Sequence, residues 1–113
     1  MKLSIIENAI WHYEDYVDNN ILSCYPSYKM YPCLFPMWDN SSRRERGAWI
    51  FHDSTDVKFK RWLVETLKYF NPYSAEENFV FINAWNEWAE GNHLEPCQKW
   101  GTSYLEVIKN LFS

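Results

Sequence analysis

Phe79 to Gly91 reads FVFINAWNEWAEG, an apolar run that turns polar and acidic within a few residues. Phe79, Val80, Phe81 and Ile82 are aromatic or β-branched without interruption, which predicts a short strand covered on both faces. Asn86, Glu87 and Glu90 then follow among Trp85 and Trp88. Two carboxylates and an amide are thereby delivered beside indole faces at the C-terminal end of a strand, a combination that suggests a sugar site.

The chain on either side supplies helices. Ahead of the strand, Phe59, Trp62, Leu63, Leu67 and Phe70 recur at helical spacing, with Asp53 and Ser54 as N-caps and Asn71-Pro72 as the stop. Behind it, a last helix from about Thr102 to Phe112 would bury Tyr104, Leu105, Ile108 and Leu111. Further upstream, Met30 to Trp38 (MYPCLFPMW) reads as a short strand with proline-marked edges, because Pro32 and Pro36 cannot donate to a ladder. Ala48 to Phe51 reads as extended. Ile6, Ile10, Tyr13 and Val17 predict a first amphipathic helix ending near Asn19-Asn20. The loop from Asp39 to Gly47 carries Arg43, Arg44 and Arg46, and it exceeds the roughly 2 to 6 residues usual in α/β connections. It reads either as a functional loop or as a solvated, salt-bridged surface loop.

Strands alternating with helices predict an α/β fold with parallel pairing and functional groups on the loops that follow the strands. Trp38, Asp39 and Asn40 would then share one face with Trp85, Asn86, Glu87 and Glu90. Two strands cannot make a stable parallel sheet, however, and a complete (β/α)8 barrel takes roughly 250 residues. The expectation is a fragment of such a barrel, or a chain that pairs with something else and is poorly stable alone.

Composition narrows the classes. A formal net charge of -4 leaves no basic footprint for nucleic acid. The absence of an apolar run long enough for a membrane span, and of an apolar core behind Met1, points to a soluble, cytoplasmic protein. Cys24, Cys33 and Cys97 lack the spacing of a disulfide framework or a zinc site, and no cofactor or metal is expected. Seven Trp, eight Tyr and seven Phe are many for 113 residues, and imply either an unusually aromatic core or a surface that stacks on flat ligands.

Glu87 and Glu90 stand three apart, so a helical turn places both on one side. Paired carboxylates in an aromatic setting can divide into an acid and a base or nucleophile, the division that glycoside chemistry uses. Alternatively both decorate the exposed start of a helix, where acids suit the dipole. His93, Glu95 and Cys97 alternate on one loop but lack a fourth metal ligand, and His52-Asp53-Ser54 are sequence neighbours that would not converge as a triad. Trp85 and Trp88 favour the sugar reading, because exposed indoles are costly unless something stacks on them.

Tyr31-Pro32 through Phe35-Pro36, Trp38-Asp39-Asn40, Arg43-Arg44, FINAWNEWAEG with Leu94-Glu95-Pro96, and Trp100-Gly101-Tyr104-Leu105 together resemble the C-terminal part of the WbsX-type glycosyltransferases. That family is similar to glycoside hydrolase family 99, the endo-mannosidase-like enzymes. The resemblance runs from about Tyr13 to the end, and it implies the last two βα units of a (β/α)8 TIM barrel, residues 1–113 forming a partial domain. It implies Glu87 as the base on the sugar 2-hydroxyl, through a 1,2-anhydro sugar, and Glu90 as the acid/base at the leaving oxygen. Trp38, Asp39, Asn40, Trp85, Asn86, Trp88 and Glu95 would line the sugar subsites, and Arg43 and Arg44 would form a basic loop site. The implied partner is a carbohydrate, a mannose-containing glycan or an activated sugar, in bacterial surface polysaccharide metabolism, with the rest of the barrel as a second partner. The alternative expectation is a non-catalytic carbohydrate-binding remnant or a truncated product. Cys97, Lys99 and Trp100 depart from the family pattern.

Overall fold

The computed structural model describes residues 8–23 and 25–113. The described residues form a mixed α/β structure of three small sheets and three helices. Strand β1 (Ala9–His12) leads directly into helix α1 (Tyr13–Leu22). The next strands are β2 (Cys33–Leu34), β3 (Trp38–Asp39) and β4 (Trp49–His52), followed by helix α2 (Asp56–Tyr69). Strand β5 (Phe81–Ile82), the hairpin of β6 (Asn86–Glu87) and β7 (Asn92–His93), and helix α3 (Ser103–Phe112) complete the order. β4 lies between β1, which it pairs in parallel, and β3, which it pairs antiparallel. β2 and β5 pair in parallel across the connection that contains α2. No helix among the described residues is long and apolar enough to cross a membrane.

Aromatic packing holds the elements together. Trp62 of α2 meets the edges of Tyr13 at 6.0 Å and Phe35 at 5.2 Å between ring centroids. Tyr16 packs edge-on against Phe51 of β4 at 5.0 Å. Such T-shaped pairs place positive ring edges on negative faces and add to the burial of apolar area. Phe59 carries the core across to Tyr104 of α3, 5.5 Å away. Tyr13 is fully buried and its hydroxyl donates to the Phe35 carbonyl at 2.8 Å, so this buried hydroxyl is satisfied. Burial pushes the Tyr13 phenol well above its ordinary pKa.

Several local expectations are corrected. The first helix does not reach back to Ile10: Ala9–His12 is a strand, and all four residues pair in register with Trp49–His52. Ile10 is exposed, so the core-facing stripe begins only at Tyr13 and Val17; Ile6 lies outside the described residues. A parallel ladder satisfies four residues of backbone that a helix would have satisfied locally, and tertiary pairing wins. Met30 to Trp38 is not one strand but two, β2 and β3, parted by the turn at Phe35 and Pro36. The Phe79 run is not covered on both faces. Val80 and Ile82 pack against the core, whereas Phe79 and Phe81 are each about half exposed, at 50% and 52%. With helices on one side only, the strand alternates with the period of two that a half-covered sheet imposes.

Helix α2 is capped by Thr55, whose Oγ1 accepts from the Lys58 amide at 3.2 Å, and not by Asp53 or Ser54. Asp53 has a φ of 63° and its carboxylate accepts from Lys58 Nζ at 2.8 Å, so it shapes the corner before the helix. In α3 the buried residues are Tyr104 and Val107, with Leu105, Ile108 and Leu111 only partly covered.

Candidate functional site

The acidic segment is a hairpin folded back on the end of β5. Asn86 pairs with His93 and Glu87 with Asn92, and the 3-10 turn Trp88–Glu90 closes the loop. Glu87, the last residue of β6, caps this turn with non-helical backbone, and Glu90 ends it. Gly91 leaves the turn at a φ of +55°, in the left-handed region. A Cβ there would lie 2.8 Å from the Asp39 carbonyl oxygen, so glycine serves both the turn and the approach of β3.

Buried polar groups lock the hairpin. Asn92 is fully buried and its Oδ1 accepts from the Ala84 amide at 3.2 Å. The Leu94 and Glu95 amides donate to the Trp85 carbonyl at 3.0 and 2.9 Å. His93 is buried and stacks under Trp88 with centroids 3.7 Å apart and an 18° tilt. Its Nδ1 donates to the Glu95 carbonyl at 3.0 Å, and Trp88 Nε1 donates to Glu95 Oε2 at 2.8 Å. Glu95 and His93 therefore hold Trp88 in place, with its indole stacked on His93 and the residue about half exposed. Among the described residues no three His, Cys, Asp or Glu side chains converge as metal ligands.

The second part of the site comes from β3 and the turn behind it. Asp39 Oδ1 accepts from the Ser41 amide at 2.9 Å and from its hydroxyl at 2.5 Å, which starts the 3-10 turn Ser41–Arg43. That turn lies against the acidic one. Arg43 Nη1 donates to Glu90 Oε1 at 3.0 Å, and Ser42 Oγ donates to the Ala89 carbonyl at 3.2 Å. The long loop thus has a task in the fold, beyond that of a solvated connection.

The expected residues separate into groups. Asp39, Arg43 and Glu90 are brought together through the two turns, and Trp38 lies in the strand that carries Asp39. Trp85, Asn86, Glu87 and Trp88 are exposed on the hairpin, with Trp85 and Trp88 at 50% and 48%. Asn40 is instead buried, its Oδ1 accepting from the Trp49 amide at 2.7 Å, so it ties β3 to β4. Arg44 is exposed, one residue beyond the turn. The structural parts of Gly91, Asn92 and His93 are not legible from residue type alone. The glycine directly after Glu90 was the available signal, since helical turns commonly end on a left-handed glycine.

Comparison with known proteins follows the same residues. The sequence profile of the family described as "Glycosyltransferase WbsX" matches residues 1–108. The chain is 39% identical over 84 residues to the "Uncharacterized protein WxcX" of Xanthomonas campestris pv. campestris strain B100, and equally so to that of strain ATCC 33913. Each match covers 73% of this chain and 12% of the relative, so the chain spans a small part of the length of these curated relatives. No solved structure matches.

Proposed function

The chain belongs to the WbsX glycosyltransferase family, and on that premise we propose that it carries the reacting end of a carbohydrate-active enzyme, with Glu87 and Glu90 as the chemical pair. The observation that carries this reading is the docking of the Arg43 turn on the Glu90 turn, at 3.0 Å between Nη1 and Oε1. The turn that follows β3 and the turn beyond β5, from strands of two different sheets, thus meet at a carboxylate. Glu87 stands at the cap of the same turn, and Trp85 and Trp88, its neighbours in sequence, are half exposed.

In this reading the half-exposed indoles receive the apolar face of a sugar ring, and the carboxylates act on the glycosidic bond. Glu87 takes the proton of the sugar 2-hydroxyl, whose oxygen closes on the anomeric carbon as the exocyclic C–O bond breaks, and Glu90 donates a proton to the leaving oxygen. Water or an acceptor hydroxyl then opens the 1,2-anhydro ring, with Glu90 accepting its proton and Glu87 returning its own to the 2-oxygen. Arg43 orients Glu90. The glycan belongs to bacterial surface polysaccharide metabolism, and the parallel pairing of β2 with β5 suits two neighbouring strands of a (β/α)8 barrel whose other strands lie elsewhere.

The test is glycosyl release or transfer by the intact gene product carrying Glu87→Gln or Glu90→Gln. Each substitution is expected to lower turnover at least about 100-fold, within the range that general acid–base groups contribute. Full turnover in both variants would remove the assignment. Retained sugar binding without turnover in the unsubstituted protein would instead favour a binding module.

A further inference from the structure

Two imidazoles stand side by side at the end of the β1–β4 ladder. His12 and His52 form the last of the four in-register pairs between these parallel strands. Paired positions carry their side chains on the same face of a sheet, and here the two ring centres lie 5.6 Å apart with 64° between the ring planes. Both residues are exposed, so solvent reaches the pair.

That separation has a chemical meaning. A Zn²⁺ ion bonded to two imidazole nitrogens at about 2.0 to 2.1 Å in tetrahedral geometry holds the ring centres roughly 5 to 5.5 Å apart. The ladder thus presents two nitrogen ligands close to the bite of one ion. β1 passes directly into α1 with His12 at the helix cap, and β4 ends at His52, so both rings are carried on backbone that strand pairing already fixes. Ligands held in advance cost little further ordering on binding.

The surroundings select the ion. Imidazole nitrogen suits Zn²⁺, Ni²⁺ and Cu²⁺, whereas Mg²⁺ takes oxygen ligands. Asp53 adds no third ligand, because Lys58 holds its carboxylate at 2.8 Å. Lys58 also approaches Glu14 at 3.8 Å. A single ammonium therefore faces two carboxylates in the segments that follow the histidines, and the surplus negative charge favours a cation.

We propose that His12 and His52 form a binding site for a divalent transition-metal ion of the zinc type, with water completing its coordination, and that the bound ion staples β1 to β4. The proposal does not rest on the carbohydrate reading. Isothermal titration of the tag-free chain with ZnCl₂ and with MgCl₂, together with thermal melting in each salt, tests it. Zn²⁺ should bind and raise the melting temperature, and Mg²⁺ should do neither. His12→Ala and His52→Ala should each weaken Zn²⁺ binding at least about tenfold, since the second ligand of a chelate acts at high effective concentration, and each should remove the shift in melting.

No binding of Zn²⁺, equal binding of Mg²⁺, or Zn²⁺ affinity unchanged in either variant would each overturn the site, the last by placing the ion on other side chains such as cysteine thiols. Both rings are exposed, so the variants are expected to fold. Substoichiometric Cu²⁺ added to the unsubstituted chain gives a measurement independent of them. The ring-proton NMR signals of His12 and His52 should broaden ahead of those of the buried His93, and broadening of His93 first or equally would also overturn the site.

Discussion

Trp62 and the pair Trp85 and Trp88 use the same side chain in opposite ways. Trp62 is 3% exposed and is met edge-on by Tyr13 and Phe35, so its indole removes apolar area from water and fixes α2 against β2 and α1. Trp88 is 48% exposed, lies on a single histidine, and is steered by one hydrogen bond to Glu95. Trp85 is held by the hydrogen bonds to its own carbonyl while its ring stays half in water. In the core the ring contributes stability through both faces and its edge. In the hairpin the scaffold is backbone and buried amide, which leaves both indoles half exposed. An abundance of tryptophan therefore reports two different things in one chain.

The largest expected effect tests this contrast directly. Trp62→Ala should cost about 3 to 5 kcal/mol, as removal of a buried aromatic does. Trp85→Ala should stay within about 0.5 kcal/mol, as an exposed substitution does. Urea unfolding of both variants checks the pair, and similar losses would erase the distinction between core and hairpin.

Next in size is Gly91→Ala. The left-handed backbone alone costs an L-residue about 1 to 2 kcal/mol, and the Cβ would also press on the Asp39 carbonyl 2.8 Å away. Gly91→Asn tolerates the φ better but keeps the clash, so a thermal melt of both variants apportions the loss between strain and contact. Either substitution should also lower the proposed turnover by shifting β3 away from the hairpin.

Trp88→Ala removes the stack on His93 and the bond to Glu95, and should cost about 1 kcal/mol, the scale of an aromatic pair. Its effect on sugar binding should exceed its effect on melting. The converse would make Trp88 a packing residue like Trp62.

Arg43→Ala should be smaller still in stability, at most about 1 kcal/mol, because the Arg43 side chain is 53% exposed and solvent weakens such a pair. Turnover should fall more than stability does, as expected of a positioning residue. Rescue by Arg43→Lys, together with an unchanged KM, would support a role exercised through Glu90.

The smallest effect concerns pH. The hydrogen bond from Lys58 and its positive charge hold the Asp53 carboxyl below its ordinary pKa. A carboxylate lowered in the folded state contributes stability above its unfolded pKa and loses that contribution as pH falls through the folded value. The difference between the protein and Asp53→Asn should thus be present at neutral pH and shrink below about pH 4. A difference that grew in acid would reverse the sign of this argument.

Much of the local structure was legible because it follows from periodicity and from proline and glycine. The stripe Phe59, Trp62 and Leu63 marks α2, and Asn71-Pro72 marks its end, since neither the apolar face nor the missing amide depends on distant residues. The same holds for α3 and for a strand at Phe81–Ile82. The helical stripe beginning at Ile6 misled, because Ile10 is at helical spacing from Tyr13 yet belongs to a strand paired with residues forty positions away. Glu87 and Glu90 stood out as paired acids between tryptophans, but the structural roles of Asn40, Asn92 and His93 depend on which backbone groups the fold leaves unpaired.

The sequence by itself determined the helical faces, the strand-then-acid order of FVFINAWNEWAEG, and the family to which the chain belongs. These are properties of spacing and residue type along one segment. Only the tertiary structure decided that Arg43 meets Glu90, that Gly91 admits Asp39, and that His12 stands beside His52. Those are meetings of segments far apart in the chain, selected by which arrangement buries Tyr13, Phe59 and Trp62 while leaving few backbone groups without partners.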